Sequence, residues 1–339
     1  MRIATMKVLV TGGTGFLGAN LVHHLVARGH HVRVLKRPRT SPDILQGLPV
    51  EIVAGDVTDF DSLLRGSRGV EGIYHVAGLV SYWRPKRSRQ YRVNVEGPRH
   101  VVAAAVRNRV RRVVHTSSIA AIGFRTDGRP ADEETPWNWG PYDIGYCTSK
   151  HLGEQEALKG CERGLEVVVV NPAVIFGPRD THRNTGRVIT LVAKNSTILW
   201  PEGTITACDV DDVCQGHIAA MERGQSGRRY ILGGEHCRFA DLIHQVAEAI
   251  GKKVRVVAIP RWLEQAVAWG AYGLSLLTRK EPSLTPDLVQ VRRLVGTYSS
   301  ERAIRELGYP QTPLRQTLEK AYRWYVANGY LPAAGRAAT

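Results

Sequence analysis

The feature that most constrains this chain is a glycine-rich segment that reads Thr11-Gly12-Gly13-Thr14-Gly15-Phe16-Leu17-Gly18. It follows a β-branched run at Lys7–Val10 and precedes a helical pattern at Ala19–Arg28. In this context Gly12 permits a tight turn, Gly15 lets the backbone approach a pyrophosphate, and Gly18 lets the helix pack closely on the strand. Because strand, loop and helix occur in the required order, the segment predicts a dinucleotide site. The residues expected to bind the dinucleotide here are Gly12, Thr14, Gly15, Phe16, Leu17 and Gly18.

Short β-branched runs alternate with helical patterns through the first half of the chain. Predicted strands lie at Lys7–Val10, His31–Leu35, Val50–Ala54, Gly72–Val76, Arg112–Thr116 and Glu166–Asn171. Predicted helices lie at Ala19–Arg28, Asp59–Arg65, Gln90–Asn108 and Ile144–Leu158. This alternation is typical of parallel βαβ units, so we expect an α/β fold with a Rossmann-type, doubly wound parallel sheet.

The pattern changes after about Pro172, where turn-rich sequence, short strands and amphipathic helices follow. This change predicts a smaller, mostly helical C-terminal lobe that caps the sheet and binds the substrate. We expect a dinucleotide-binding domain over 1–172, with a return to the sheet near 208–222. The substrate lobe is expected over 173–330, interleaved with the first domain, and a flexible tail over 331–339.

Charge and cysteine content exclude several classes of function. The chain has 339 residues and a formal net charge of +15, which suits nucleic acid, an anionic membrane surface or phosphorylated ligands. No nucleic-acid-binding motif accompanies the charge, so we expect no nucleic-acid partner. The cysteines form no CxxC pair and no cluster with histidine, so we expect reduced thiols, a cytoplasmic location and no metal site. They are Cys147, Cys161, Cys208, Cys214 and Cys237.

The end of the second predicted strand indicates which dinucleotide binds. An acidic residue there accepts hydrogen bonds from the NAD ribose, whereas arginine contacts the additional phosphate of NADP. This chain has Lys36 and Arg37 at that point, and no acid. A guanidinium matches phosphate geometry and stays charged, so we expect NADP(H) in preference to NAD(H). The alternative is that the two basic residues belong to a solvated turn.

Two further strand ends point to the same crevice, because the carboxyl ends of parallel strands converge in such sheets. Asp56 and Val57 follow the third predicted strand, where the carboxylate is placed to accept a hydrogen bond from an adenine amino group. Ala77 and Gly78 end the fourth, where small residues let the backbone lie against the cofactor. We expect all four residues to bind the cofactor.

A tyrosine, a lysine and a serine form the candidate catalytic group. Tyr146 and Lys150 lie four residues apart, hence on one face of a helix. A free phenol has a pKa near ~10 and is a poor base, but a nearby ammonium and an oxidised nicotinamide favour its ionised form and lower that pKa. Ser118 follows the fifth predicted strand, where its hydroxyl is placed to hydrogen-bond the reacting oxygen.

Together these residues resemble the extended short-chain dehydrogenase/reductase family, within the NAD-dependent epimerase/dehydratase superfamily. The chain looks most similar to the dihydroflavonol-reductase-like branch, which also holds hopanoid-associated sugar epimerases and 3β-hydroxysteroid dehydrogenase-like enzymes. The motifs that carry the resemblance are the glycine loop, Gly55-Asp56, Asn94-Val95-Glu96-Gly97, the Ser118 strand, Tyr146 with Lys150, Asn171-Pro172, Phe176-Gly177-Pro178 and Asp209-Val210-Asp211-Asp212.

The resemblance implies a role for each residue of the group. Tyr146 protonates the carbonyl oxygen as hydride arrives, or removes the proton in the reverse direction. Lys150 binds the nicotinamide ribose, and Ser118 orients the substrate, with Ser117 as the less favoured serine. The remaining cofactor-binding residues are those that support the active-site helix or back the nicotinamide ring. They are Asn94, Pro172 and Val174.

The function that follows is an NADPH-dependent reductase of a lipophilic ketone, with two alternatives. One is a nucleotide-sugar or hopanoid-associated epimerase, which needs an arginine for the diphosphate. None precedes Asp209 closely, although Arg179 or Arg183 is available as a substitute. The other is a non-catalytic NADP-binding regulator, because fold alone does not define function.

The remaining expectations concern partners. The resemblance implies a homodimer through the helices at Gln90–Asn108 and Ile144–Leu158. The apolar segment from Trp262 to Leu277 is too short and too interrupted by polar residues to span a bilayer. We expect it to pack on the core, and the alternative is an entrance for a lipophilic substrate that contacts the membrane surface.

Overall fold

The computed structural model describes residues 5–182 and 184–332, and the predicted α/β fold is confirmed. The strands in chain order are β1 (Lys7–Thr11), β2 (His31–Lys36), β3 (Val50–Ala54), β4 (Gly72–His75), β5 (Arg112–Thr116), β6 (Glu166–Pro172), β7 (Val174–Phe176), β8 (Thr197–Trp200), β9 (Thr204–Asp209), β10 (Arg229–Leu232), β11 (Glu235–Arg238) and β12 (Arg255–Ala258).

Helices cover the sheet and build most of the second lobe. In chain order they are α1 (Phe16–Ala27), α2 (Phe60–Gly66), α3 (Arg87–Tyr91), α4 (Gly97–Arg107), α5 (Gly145–Leu158), α6 (Arg187–Lys194), α7 (Val210–Arg223), α8 (Phe239–Ala249), α9 (Arg261–Thr278), α10 (Pro286–Leu294), α11 (Glu301–Leu307) and α12 (Leu314–Ala327).

A large parallel sheet forms the centre of the molecule. Its strand order is β3-β2-β1-β4-β5-β6-β10, and each neighbouring pair is parallel. The order reverses between β1 and β4, and the crevice at the carboxyl ends of such a pair is where ligands bind in doubly wound sheets.

Side chains alternate along the strands between two apolar cores, one on each face of the sheet. Val8 and Val10 of β1 pack with α1, α7 and α11 on one face. Leu9 of the same strand packs with α2, α4 and α5 on the other. Helices therefore cover both faces, as the alternation of strands and helices predicts.

The predicted helix at Gln90–Asn108 is interrupted by a π-helical turn. It begins as α3, continues through the π-helical residues Arg92–Glu96, and becomes α4. Such turns occur frequently at functional sites. The turn contains Asn94, one of the predicted site residues.

The second lobe is built on two small sheets, in the order β11-β9-β7 and β12-β8. Its own core lies between these sheets and the helices α6, α8 and α12. The chain was expected to return to the large sheet near 208–222. There β9 belongs to the second lobe, and α7 after it packs on the large sheet. The strand that rejoins the large sheet is β10, which pairs with β6.

The expectation that the apolar segment at α9 packs on the core is wrong. Only Glu264, Ala268 and Ser275 of this helix are buried, and most of its large apolar side chains face outward. In the described part of the chain, no helix has the length and apolar character needed to cross a membrane.

Candidate active site

The glycine loop has the geometry that a pyrophosphate site requires. Gly12 has φ +70°, and its carbonyl accepts a hydrogen bond of 2.9 Å from the Gly15 N–H group. A Cβ on Gly12 would lie 2.7 Å from the Ala77 nitrogen, and a Cβ on Gly18 would lie 2.1 Å from the Gly12 oxygen. Both positions therefore exclude any side chain.

The helix that follows the loop begins three residues before the predicted start. Gly15 is the N-cap of α1, and no side chain caps this end. The N–H groups of Phe16 and Leu17 lie in the first turn, where the helix itself provides no acceptor. Thr14, within the turn, is half-buried. These donors and the positive end of the helix suit a phosphate, so the cradle fits a dinucleotide.

Lys36 and Arg37 differ in their surroundings. The Lys36 ammonium donates hydrogen bonds to the carbonyls of Arg37, Pro38 and Thr40, the shortest of 2.7 Å to Thr40. It therefore closes the loop after β2. The Arg37 side chain is exposed and, within the described residues, makes no hydrogen bond or ion pair. Of the two side chains, only the arginine is left to face an additional phosphate.

The ends of β3 and β4 lie beside the loop in different ways. One carboxylate oxygen of Asp56 accepts hydrogen bonds of 2.9 Å from both the N–H and the hydroxyl of Thr58. Val57 is buried in the core between the sheet and α4, so its side chain does not face the crevice. Ala77 donates its N–H to the Thr11 hydroxyl over 3.2 Å, which ties the end of β4 to β1.

Asn94 holds the loop after β4 against the catalytic helix. Its amide accepts a hydrogen bond of 2.8 Å from the Leu79 N–H group and donates to the Leu79 carbonyl and the Ser149 hydroxyl, each over 3.0 Å. A Cβ on Gly78 would lie 3.6 Å from the Asn94 Oδ1 atom and 3.8 Å from the Lys150 Nζ atom. The support that the resemblance implies for Asn94 is therefore visible as contacts within the protein.

The structure brings Ser118, Tyr146 and Lys150 together at the carboxyl ends of β5 and β6. Ser118 lies directly after β5, where its hydroxyl is close enough to the Tyr146 phenol to act on the pKa of that group. Tyr146 and Lys150 lie on one face of α5, both buried. The Lys150 ammonium donates one hydrogen bond, of 2.8 Å, to the Thr116 carbonyl. Its other two N–H groups are available to a ligand above Gly78.

Burial shifts the pKa values of the two residues in opposite directions. Burial raises the pKa of Tyr146 to about 12, although the neighbouring Ser118 hydroxyl acts in the lowering direction. Burial lowers the pKa of Lys150 to about 8, against the effect of the nearby Glu154 carboxylate. In the protein alone burial outweighs the effect of Ser118, and the lowering of this pKa expected beside an oxidised nicotinamide stays a prediction.

Ser117 is the less suitable of the two serines. It is buried, and its Oγ atom has no hydrogen-bond partner among the described residues.

Pro172 ends β6 and is buried, and Val174 begins β7 and is half-buried, so the two residues stand at one end of the crevice. The structure thus places both at the carboxyl edge of the sheet, where the resemblance requires them.

The sequence pattern missed two residues beside the catalytic group. The ring of Tyr82, in the loop after β4, lies 5.3 Å from the ring of Tyr146 in an edge-to-face contact, and no local pattern marks it. Glu154 is buried one turn beyond Lys150, where it accepts a hydrogen bond of 2.8 Å from Asn171 and lies 3.5 Å from Arg229. Its spacing of four residues from Lys150 was a usable signal.

Apolar and aromatic side chains pack around Tyr146 as an apolar wall, in which Trp139 and Ile144 are fully buried. Its members come from the loop after β4, the loop after β5, the start of α5, and α10. They include Tyr82, Phe124, Trp139, Tyr142, Ile144 and Val291.

Arg179, the first substitute for a diphosphate-binding arginine, is engaged elsewhere. Its guanidinium donates a hydrogen bond of 2.9 Å to the Asn20 side chain on α1. Arg183, the second substitute, lies outside the described residues. Arg179 therefore contacts α1, the helix that follows the glycine loop.

The sheet topology, the phosphate cradle and the Ser118, Tyr146 and Lys150 group define a Rossmann-type nicotinamide-dinucleotide oxidoreductase. A model of the NAD dependent epimerase/dehydratase family matches residues 8–233. The chain belongs to this family, the extended short-chain dehydrogenase/reductases, and the resemblance seen in the sequence is confirmed.

Two curated proteins resemble the chain over nearly its whole length. A protein of Synechocystis sp. named "Putative dihydroflavonol 4-reductase" is 36% identical over 327 residues, which cover 95% of each chain. "Sterol demethylase protein B" of Methylococcus capsulatus is 34% identical and covers 96% of this chain and 100% of its own. Among solved structures, that of gox2253 matches with a TM-score of 0.83 and 34% identity, over 96% of this chain and 100% of the other.

Proposed function

We propose that this protein is an NADPH-dependent ketone reductase with Tyr146 as the proton donor and a lipophilic substrate. The observation that carries the proposal is the buried group at the ends of β5 and β6, in which Ser118 adjoins Tyr146 and the Lys150 ammonium lies beside Gly78. A bound nicotinamide supplies the hydride, and the residues of the chain position the substrate and supply the proton.

The protonation of Tyr146 supports the direction of reduction. With its pKa raised to about 12, Tyr146 carries its proton at neutral pH and acts as an acid toward a forming alkoxide. The Ser118 hydroxyl adds a second hydrogen bond to the same oxygen. Lys150 holds the ribose through the two N–H groups that Thr116 leaves free.

Three observations support a lipophilic ketone as the substrate class. The wall around Tyr146 is largely apolar and aromatic. The two curated relatives carry the names of a dihydroflavonol reductase and a sterol demethylase protein, both of which point to ring-bearing, poorly soluble substrates. Arg179 bonds Asn20, which leaves a nucleotide diphosphate without that partner.

Turnover of NADPH with ketones of increasing hydrophobicity tests the proposal. We expect consumption that falls at least about a hundredfold in Tyr146→Phe, because the proton donor is lost, while NADPH binding persists. Tyr91→Phe removes a hydroxyl from an exposed tyrosine on α3 and is expected to match the wild type. Binding without consumption that depends on Tyr146 indicates a regulator, and conversion of nucleotide sugars without net NADPH use indicates an epimerase. Either outcome overturns the proposal.

The preference for NADPH is proposed to depend on Arg37. Replacement of this exposed guanidinium by alanine removes a phosphate partner, so we expect kcat/KM with NADPH to fall about tenfold or more and kcat/KM with NADH to stay within about twofold. Arg39→Ala, in the same loop, is the matched control. Equal losses with the two cofactors contradict the assignment.

A further inference from the structure

The outward face of α9 concentrates the exposed apolar surface of the molecule. Of the twelve large apolar side chains exposed in the described residues, seven lie on this one helix. Trp262 is 72% exposed and Leu277 is 83% exposed. The seven are Trp262, Leu263, Val267, Trp269, Leu274, Leu276 and Leu277. Large apolar patches of this kind mark interaction sites.

These side chains form two adjacent stripes along the helix. One stripe follows positions 263, 267, 270, 274 and 277, and the other follows 262, 266, 269, 273 and 276, each with the helical spacing of three or four residues. Together they cover about half of the circumference over the full length of α9. The surface is thus a long convex ridge, a shape suited to insertion into a soft surface.

Charge around the ridge is mainly basic, with one exposed acid, Glu202, 3.9 Å from Arg261. The one acid of α9, Glu264, is buried and lies 3.6 Å from Arg292. Arg261 stands at the start of the ridge, and Arg279 and Lys280 stand at its end, all exposed. The next acid, Glu281, accepts hydrogen bonds from Ser81 and Lys86. An apolar ridge with basic ends is complementary to anionic headgroups above acyl chains.

We propose that α9 lies in the surface of an anionic lipid bilayer. Its two tryptophans, Trp262 and Trp269, suit the boundary between headgroups and acyl chains. Leu274 and Leu277 insert below that boundary, while Arg261 and Lys280 contact the headgroups. The helix rests on the surface and does not span the membrane.

The buried side of α9 is bonded to the loop that borders Tyr146. The Trp83 Nε1 atom donates a hydrogen bond of 2.9 Å to the Ser275 hydroxyl, and the Ser81 hydroxyl donates one of 2.6 Å to Glu281. Tyr82, between them, packs on Tyr146. The membrane-facing helix is therefore fixed next to the catalytic group. If the proposed lipophilic substrate is correct, docking places the site where such a substrate partitions.

Flotation of the full chain with vesicles tests the proposal. We expect the wild type to float with vesicles that are half phosphatidylglycerol and to bind phosphatidylcholine vesicles at least about tenfold less. Leu274→Gln with Leu277→Gln is expected to lower binding at least about tenfold, because the inserted apolar area is lost. Arg261→Gln with Lys280→Gln is expected to lower binding to anionic vesicles about fivefold per charge.

The matched control is Ile52→Gln with Ile304→Gln, which removes two exposed apolar side chains on β3 and α11 and is expected to float as the wild type. Failure of the wild type to bind anionic vesicles overturns the proposal. So does an α9 variant that floats normally but changes from dimer to monomer in light scattering, which makes the ridge an interface between copies. NADPH consumption with a water-soluble ketone, measured without vesicles, separates failure of docking from failure of the proposed function.

Discussion

Burial moves the pKa values of the two ionisable residues of the candidate active site in opposite directions. The Tyr146 phenol keeps its proton across the physiological range, while the Lys150 ammonium titrates near pH 8. The lysine therefore carries an energetic cost in the folded state, because a charge is held where solvent is excluded. We propose that the site retains this charge for ribose binding and that the cost is measurable.

Lys150→Met is expected to stabilise the protein at pH 7. Burial lowers the pKa of Lys150 from 10.5 in the unfolded chain to about 8 in the folded one, so the folded state binds fewer protons between these values. The cost of burying the charge is complete below about pH 8 and disappears by about pH 10.5, since stability rises with pH wherever the unfolded state holds more protons. We expect a gain on the order of 2 kcal/mol at pH 7 that vanishes near pH 10.5.

Denaturant unfolding of both proteins across this pH range measures the difference. Lys159→Met is the control, because Lys159 is largely exposed on the turn that ends the same helix and pairs with Glu156 at 2.7 Å. Its effect on the free energy of unfolding is expected to be small across this pH range. If the difference in unfolding free energy between Lys150→Met and the wild type does not change with pH, the proposed cost of burying the Lys150 charge is contradicted.

At the scale of elements, the turn between β1 and α1 carries the cofactor proposal. Gly18→Ala places a methyl group 2.1 Å from the Gly12 carbonyl oxygen, a distance that forces the backbone of the turn to move. We expect the dissociation constant for NADPH to rise at least about tenfold, because the N–H groups of the cradle lose their alignment. Calorimetric titration of NADPH measures it.

Gly270→Ala is the matched control for that substitution. Gly270 lies within α9, and a Cβ added there meets no atom within 4 Å. Alanine is the better helix former, so this variant is expected to fold and to bind NADPH as the wild type. Equal affinity of Gly18→Ala and the wild type would show that the turn is not the phosphate cradle.

How much the sequence could predict also depends on the element. The strands at Val50–Ala54 and Arg112–Thr116 have the predicted bounds, because strands of a parallel sheet are marked by β-branched runs. The start of α1 was placed three residues too late, because the cap is a glycine and leaves no polar marker. The orientation of α9 could not be predicted, since an apolar stripe suits both a protein core and a lipid surface.

The site shows the same division. Ser118, Tyr146 and Lys150 were predicted to lie together, because their positions follow from one helix spacing and one strand end. The side chain of Val57, a predicted cofactor contact, is buried under α4, which local sequence does not encode, so that contact stays a prediction for its backbone. Tyr82 was missed because only tertiary packing brings the loop after β4 to Tyr146.

At the scale of the whole molecule, one half-buried charge cluster joins the helix α12 to α1 and α7, which pack on the large sheet. The Lys320 ammonium on α12 lies 2.8 Å from Asp209 and 2.5 Å from Asp211, at the start of α7. The other oxygen of Asp211 lies 2.8 Å from the His24 ring on α1. Burial alone would raise the pKa of Asp211, but the bonds from His24 and Lys320 hold that pKa well below its ordinary value.

Lys320→Met is expected to destabilise the protein, because it leaves the fully buried Asp209 carboxylate with the Thr317 hydroxyl and the Asp211 N–H group but no cation. The Lys320 side chain is about one-third exposed, so we expect a loss of about 2 kcal/mol at pH 7, below the range for a fully buried pair. The lowered pKa of Asp211 contributes stability at pH values above the ordinary carboxyl pKa, and this contribution is lost as the pH falls. The difference in unfolding free energy between variant and wild type is therefore expected to shrink below about pH 4. Urea unfolding at pH 7 and pH 3.5 measures both effects. Arg323 is an exposed residue of α12, and Arg323→Met is the control, expected to stay within about 0.5 kcal/mol of the wild type. An equal loss of stability in the two variants would show that the stabilisation belongs to α12 itself and not to the link between the lobes.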